Sequence, residues 1–199
     1  MYQCILASGS PRRKEILEQC GVSFIIEKSN AEEIVSKTEP KEVVMELSAL
    51  KASEVANRIS EPEGIIIGAD TVVADGQAIL GKPKNKAEAI AMLNSLQGHV
   101  HSVYTGVTFI IKKDGTHKMQ TFYEETKVEI IPMTIEEIED YVASGEPEDK
   151  AGSYAIQGQF ASYVKEIHGD YYNVVGLPIC RIMKELKKNG IDLKKECQQ

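Results

Sequence analysis

The stretch Gly64-Ile65-Ile66-Ile67-Gly68-Ala69-Asp70-Thr71-Val72-Val73-Ala74-Asp75-Gly76 decides how the rest of the chain is read. Its apolar run is that of a buried strand, and Asp75-Gly76 forms a turn that sends Gln77 to Leu80 back as a returning strand. Two longer strand-like stretches, Val100 to Lys113 and Thr116 to Ile131, are joined in the same way at Asp114-Gly115. Helices interleave with these hairpins, which predicts an α/β fold on a mixed rather than a purely parallel sheet.

Toward the N-terminus, Tyr2 to Ala7 reads as a strand broken by Ser8-Gly9-Ser10. A helix follows with Pro11 as its first residue, Ser10 as N-cap, an apolar stripe of Ile16, Leu17 and Cys20, and Gly21 as terminator. Val22 to Ile26 predicts a second strand, and a long helix runs from Thr38-Glu39-Pro40 to about Ile59. Toward the C-terminus, the pairs Asn85/Glu88 and Thr134/Glu137 carry the capping-box spacing of helices ending at Gly98 and near Ser144-Gly145. Residues 153–175 read as short strands turning at His168-Gly169-Asp170, and a last helix runs from Pro178 to Gly190. No repeat or Pro/Gly/Ser-rich linker divides the chain, so residues 1–199 are expected to form one domain.

The chain has 199 residues, with 23 Lys+Arg against 30 Asp+Glu, a formal charge of −7. That balance argues against a surface built for DNA or RNA, and no partner nucleic acid is expected. It leaves room for an anionic small molecule, which feels the local field rather than the net charge. No apolar run is long enough for a membrane span, and the N-terminus lacks the order of a secretory signal. The four cysteines, Cys4, Cys20, Cys180 and Cys197, show no metal-site spacing. They read as reduced thiols of a cytoplasmic protein.

Several residues are out of place in a plain core. Ser8-Gly9-Ser10-Pro11-Arg12-Arg13 puts hydroxyls, a glycine and two guanidinium groups where a strand gives way to a helix N-terminus. Helix N-termini present unpaired N–H groups and partial positive charge, which suit a phosphate, and arginine adds bidentate donors. The simpler reading is a capped helix with solvated arginines. Lys51 falls in the middle of the stripe Val44, Leu47, Val55 and Ile59, where it either reaches the surface or faces an anion. Asp70 interrupts an apolar strand, where a carboxylate is costly unless it is paired, binds metal or takes part in chemistry. Lys82, in Gly81-Lys82-Pro83, is an ordinary turn lysine or a second cation for the same ligand. Glu32-Glu33 are solvated acids or oxygen ligands for Mg²⁺ or Mn²⁺. Gln157, in a strand-like run, offers both the donor and the acceptor needed to read a nucleobase.

The order of motifs along the chain is more specific than any one of them. Ser8-Gly9-Ser10-Pro11-Arg12-Arg13, Gly68-Ala69-Asp70-Thr71-Val72-Val73, Gly81-Lys82-Pro83 and Thr105-Gly106-Val107 resemble the Maf family of nucleotide pyrophosphatases. So do Asp149-Lys150-Ala151-Gly152, Ile156-Gln157-Gly158 and Asn173-Val174-Val175-Gly176-Leu177-Pro178. The resemblance implies a fold related to the inosine triphosphate pyrophosphatases, with two lobes around a curved mixed sheet and a central cleft. It implies metal-dependent hydrolysis of a nucleoside triphosphate to the monophosphate and pyrophosphate, and a homodimer. By position, Asp70 matches the proton acceptor; Ser8, Arg12, Arg13, Lys51 and Lys82 match the substrate-binding set; Asp70 and Glu33 match the metal site. Arg12, Thr71 and Gln157 stand at positions that separate branches of the family, and they look like the dTTP/UTP branch. The 7-methyl-GTP branch has a glutamate in place of Gln157, which would favour a cationic base, whereas a neutral amide fits thymine or uracil. A pyrophosphatase for non-standard purine nucleotides and a non-catalytic nucleotide-binding regulator of cell division are the alternatives.

Overall fold

The computed structural model describes residues 2–60 and 63–197. The strands are β1 (Gln3–Leu6), β2 (Ile25–Ile26), β3 (Gly64–Asp75), β4 (Ala78–Leu80), β5 (Val100–Lys113), β6 (Thr116–Ile130) and β7 (Val164–His168). The helices are α1 (Pro11–Gln19), α2 (Pro40–Arg58), α3 (Lys86–Leu96), α4 (Ile135–Ala143), α5 (Tyr171–Val175), α6 (Ile179–Lys188) and α7 (Leu193–Glu196). The sheet runs β2-β1-β3-β5-β6-β7, with β4 paired to β3 outside that path. β1 is parallel to both β2 and β3, while β4 returns antiparallel on β3 and β7 antiparallel on β6. The sheet is mixed, as the two hairpins require.

The described residues of Met1–Asp70, Thr105–Glu124 and Gly176–Gln199 pack as one compact unit, those of Thr71–Tyr104 and Glu125–Val175 as a second. The chain passes from one to the other inside β3, β5 and β6 and again after α5. Each unit has its own core. In the first, Ile5, Ala7 and Ile66 of the strands and their loop meet Ala52, Val55 and Ala56 of α2, together with Ile110. In the second, Val73, Val103, Val128 and Ile130 pack with Leu93 and Leu96 of α3, Ile138, Tyr141 and Val142 of α4, and Tyr154 and Phe160.

The helix punctuation follows the sequence at Thr134 and Asn85, whereas Ser10, expected to cap α1, makes no capping bond through its side chain. Thr134 and Glu137 form the full reciprocal box, the Thr134 side chain accepting from the Glu137 amide and the Glu137 carboxylate from the Thr134 amide. Asn85 likewise accepts from the Glu88 amide, but the Glu88 carboxylate reaches the Lys84 amide, one residue before the cap.

Three expectations need correction. The strand expected over Val22 to Ile26 shrinks to Ile25–Ile26. The Val22 amide closes α1 on Leu17 and the Ser23 amide bonds to Cys197, so neither is available for a ladder. The short strands expected over 153–175 reduce to β7. Gly152 and Ser153 both adopt positive φ (66° and 63°), which breaks an extended run, and residues 159–163 form a 3₁₀ turn. After β7, Asp170 accepts from the Tyr172 amide and starts α5, a cap signal of the same kind as Thr134. Gln157 therefore stands in a turn, not a strand. The short helix α7 was not anticipated; Asp192 caps it at the Lys194 amide.

No helix among the described residues is long and apolar enough to cross a membrane. All four cysteines are unbridged.

Candidate active site

Helix α2 lies unusually close to the sheet of the first unit, and two glycines make that possible. A Cβ on Gly68 would collide with the backbone of Ser48 and Ala52, and one on Gly106 with the backbone of Val44 and Met45. Between α2 and β5 the Ser48 and Thr108 hydroxyls bond at 3.0 Å, and Thr108 continues to Thr121 at 2.8 Å. This buried hydroxyl chain fixes how α2 crosses the strands, since buried polar groups hold only where they are satisfied.

The consequence appears two residues along β3. Successive side chains of a strand alternate faces, so Asp70 points to the same side as Gly68, toward α2. Lys51 lies between Ser48 and Ala52 in sequence, and its Nζ donates to Asp70 Oδ1 at 2.6 Å. Both side chains are largely shielded, Lys51 15% and Asp70 13% exposed. The same ammonium holds Glu33 Oε1 at 2.9 Å, from a residue that is mostly open to solvent. The lysine on the apolar stripe thus faces anions rather than escaping to the surface.

Glu33 lies in a segment with no regular structure, tied to α2 by side chains of the helix. Glu54 accepts from the Asn30 amide, Glu46 accepts from the Ser36 and Lys37 amides, and Arg58 donates to the Lys28 carbonyl and to Glu27. Glu46 and Glu54 are held below the usual carboxylate range, Glu46 first by the Ser36 hydroxyl and Glu54 first by the Asn30 amide. Glu32, the alternative to Glu33, is exposed.

At the start of α1, Ser10 flanks the helix without capping it through its side chain, and no acid occupies the first turn. The Ser8 hydroxyl accepts from the Ser10 amide at 3.3 Å and from Arg13 Nη1 at 3.0 Å, while Arg13 Nε donates to the Gly176 carbonyl at 2.8 Å. Burial pulls the Arg13 guanidinium below its ordinary value and Arg12 adds to the fall, against the opposing pull of Asp70 and Glu33. Asp70 and Glu33, both held by Lys51, thus lie within electrostatic reach of the Arg13 guanidinium. The Gly176 carbonyl was not among the residues singled out, although the motif that carries it was. Its φ of 120° lies in the region only glycine enters readily.

The structure therefore brings Ser8 to Arg13, and Asp70 and Glu33 to Lys51. Arg12 precedes Arg13 on α1 in the same unit, while Thr71, Lys82 and Gln157 belong to the second unit. Thr71 follows Asp70 on the opposite face of β3. Lys82 is exposed on the segment after β4, where the neighbouring Gly81 carbonyl accepts from the Gly152 amide at 3.1 Å. Gln157 is exposed in the turn Ala155–Gly158, closed by the Gly158 amide on the Ala155 carbonyl.

The donor chemistry fits a hard divalent ion. Asp70 Oδ1 and Glu33 Oε1, both on the Lys51 ammonium, are hard oxygen donors of the kind Mg²⁺ takes. Among the described residues no group of three or more His, Cys, Asp or Glu side chains gathers as a self-sufficient metal cage. An ion at these two acids would have to complete its shell with water or with oxygens of an anionic ligand.

A shielded acid–ammonium pair at the middle of a strand, with the Arg13 guanidinium in its electrostatic reach, is the charged centre of this α/β protein. The comparisons with known proteins narrow this class. A model of the Maf-like protein family matches residues 3–189. A dTTP/UTP pyrophosphatase of Lachnoclostridium phytofermentans is 56% identical over 197 residues, covering 98% of this chain and 100% of the relative. Its counterpart from Agathobacter rectalis is 53% identical over 205 residues (97% and 100%), and that from Bacillus anthracis 54% over 194 residues (97% and 98%). The chain belongs to the Maf-like family.

Proposed function

We propose that this chain hydrolyses dTTP and UTP to the nucleoside monophosphate and pyrophosphate, breaking the α–β phosphoanhydride bond. The observation that carries the reading is the Lys51–Asp70 pair beside Arg12 and Arg13, in a chain whose relatives of 53–56% identity bear the name of that activity.

The reaction puts water on the α-phosphorus and releases pyrophosphate, so positioning and electrostatic stabilisation supply most of the rate. Arg12 and Arg13 bind phosphate oxygens at the N-terminus of α1. Ser8 and the Gly176 carbonyl hold the Arg13 guanidinium in one plane, which makes a bidentate contact directional. Lys51 offers its ammonium to a phosphate oxygen and keeps Asp70 and Glu33 in place. Lys82 is assigned to the same substrate by its motif. Asp70 takes the proton of the attacking water; with Oδ1 on Lys51, the receiving atom is Oδ2. A Mg²⁺ or Mn²⁺ ion, held by Asp70, Glu33 and phosphate oxygens, would neutralise charge on the phosphates and acidify the water. Arg12, Thr71 and Gln157 select the base, the neutral amide of Gln157 pairing with the donor and acceptor edge of uracil or thymine. The unbridged cysteines fit a cytoplasmic setting, and a homodimer belongs to the same reading, checked by sedimentation.

The test is pyrophosphate release from dTTP, UTP, CTP and inosine triphosphate with Mg²⁺ and with Mn²⁺. Turnover of dTTP and UTP well above the other two is expected. Preference for inosine triphosphate would replace the reading with a purine-directed one, and tight binding without hydrolysis would replace it with a regulator.

A further inference from the structure

The turn that presents Gln157 is held from behind by the Glu146 carboxylate and, at Ala155, by the Tyr141 phenol. Glu146 Oε2 accepts from the Gln159 backbone amide at 3.0 Å, and Oε1 accepts from the Tyr141 hydroxyl at 2.9 Å. Gly158 packs on the same carboxylate so closely that a Cβ there would overlap it. The φ of Gly158 is −103°, a value any residue adopts, so the demand for glycine comes from the Glu146 carboxylate rather than from the backbone. At its other end Glu146 is fixed through its carbonyl, which accepts from Lys150 Nζ at 2.8 Å.

The donor of this arrangement is itself immobile. Tyr141 is buried and lies against Phe160 with ring centroids 4.9 Å apart, and Phe160 packs on Tyr154 at 5.0 Å and on Tyr163 at 5.4 Å. Burial, then the Glu146 hydrogen bond, push the Tyr141 phenol up from its ordinary value, so it stays a donor throughout the working pH range. The turn therefore rests on an aromatic block, at Ala155 through the Tyr141 phenol and at Gln159 through the Glu146 carboxylate. By contrast, the amide of Gln157 is exposed and makes no hydrogen bond within the described residues. A side chain left without partners on a turn braced this firmly is suited to receive a ligand's hydrogen bonds, because the ordering cost falls on the scaffold rather than on the binding event.

We propose that Glu146 is a positioning residue for base selection: by bridging Tyr141 to the Ala155–Gly158 turn it holds the Gln157 amide in the one orientation that pairs with uracil or thymine. The proposal rests on the reading of Gln157 as the residue that meets the base. Glu146 touches neither the base nor the phosphates in this role.

The experiment measures kcat and KM for UTP and CTP in the full-length chain. In Glu146→Ala the UTP-to-CTP ratio of kcat/KM falls about ten-fold, mainly through a higher KM for UTP, with kcat at saturation nearly unchanged. Glu146→Gln restores most of the ratio, since its amide oxygen can accept from Gln159 and its NH₂ can donate to the Tyr141 oxygen. Gly158→Ala lowers the ratio by a similar factor in the parent chain and adds nothing in the Glu146→Ala background, where the Cβ has room. Equal losses for both nucleotides, or additive effects of the two substitutions, would overturn the proposal. Gln157→Ala, run alongside, separates two failures. If it leaves the ratio unchanged, the reading of Gln157 fails and the proposal with it. If it lowers the ratio while Glu146→Ala does not, only the positioning role is lost. Should Glu146→Ala not fold, Tyr141→Phe takes its place: loss of the O–H donor is expected to cut the ratio about three-fold, and an unchanged ratio would be decisive against the proposal.

Discussion

The Lys51–Asp70 centre and the Gln157 turn are built by opposite means. The first sits on two long regular elements, α2 and β3, brought close at Gly68, with α2 pressed on β5 at Gly106 and tied to it by the Ser48–Thr108 hydroxyl pair. The second is a string of turns, 146–149, 151–153 and 159–163, kept in shape by stacked aromatic rings and one bridging carboxylate. Regular elements fix a few charged atoms to within the tolerance that bond-breaking chemistry requires. Turns can change their side chains, and so the ligand they recognise, without disturbing a ladder of backbone hydrogen bonds.

If that division is real, substitutions in the first region should abolish turnover and those in the second should alter selectivity. The largest effect is expected for Asp70→Asn: kcat falls by about 10³-fold while nucleotide affinity, measured by calorimetry, stays within a few-fold. A mutant that retains most of its turnover would remove Asp70 as the base and erase the contrast. Next comes Gly68→Ala, which adds no charge and removes no functional group. Its methyl meets helix backbone that cannot give way, so a loss of about 1–3 kcal/mol in unfolding free energy is expected, together with lower kcat. Denaturant melts and pyrophosphate release would measure both, and an unaffected Gly68→Ala would show that α2 is not seated as described.

A smaller effect concerns the second region alone. His101 is buried, its Nε2 2.8 Å from the Tyr154 hydroxyl, and burial lowers its pKa from the ordinary value to about 4. Below pH 6.5 the unfolded chain takes up a proton that the folded His101 refuses. Stability should therefore fall as pH drops from 6.5 toward 4, and His101→Asn should flatten that slope in thermal melts. The smallest effect is expected for Thr134→Ala, which removes the cap at the first turn of α4, about two turns before Tyr141; about 1 kcal/mol of stability should go, with kcat unchanged.

How far each region could be read from sequence follows the same division. Asp70 and Lys51 stood out because charge inside a periodic apolar pattern is an anomaly, and the pattern was strong enough to show it. The caps at Asn85 and Thr134 were legible for a similar reason: capping is local chemistry written within four residues. The Val22 strand was overestimated because its amides bond to Leu17 and Cys197, and the Cys197 partner lies at the far end of the chain. Residues 153–163 read as strands because Tyr154 and Ile156 alternate as strand residues do, while in the structure Gly152 and Ser153 turn the backbone left-handed and 159–163 form a 3₁₀ turn. The Gly176 carbonyl left no side-chain signal. His168-Gly169-Asp170 reads as a turn, and Asp170 at its end is also the cap of α5.

Gly68 and Gly106 carry a consequence for how this chain can vary. Neither bears a functional atom, yet each leaves no room for even one added carbon against the backbone of α2. In a saturation scan scored by activity, these two positions should reject every substitution, a stricter pattern than at Arg12 or Glu33, where another side chain can keep part of the charge. The least replaceable parts of the catalytic centre would then be places where the fold requires an atom to be missing.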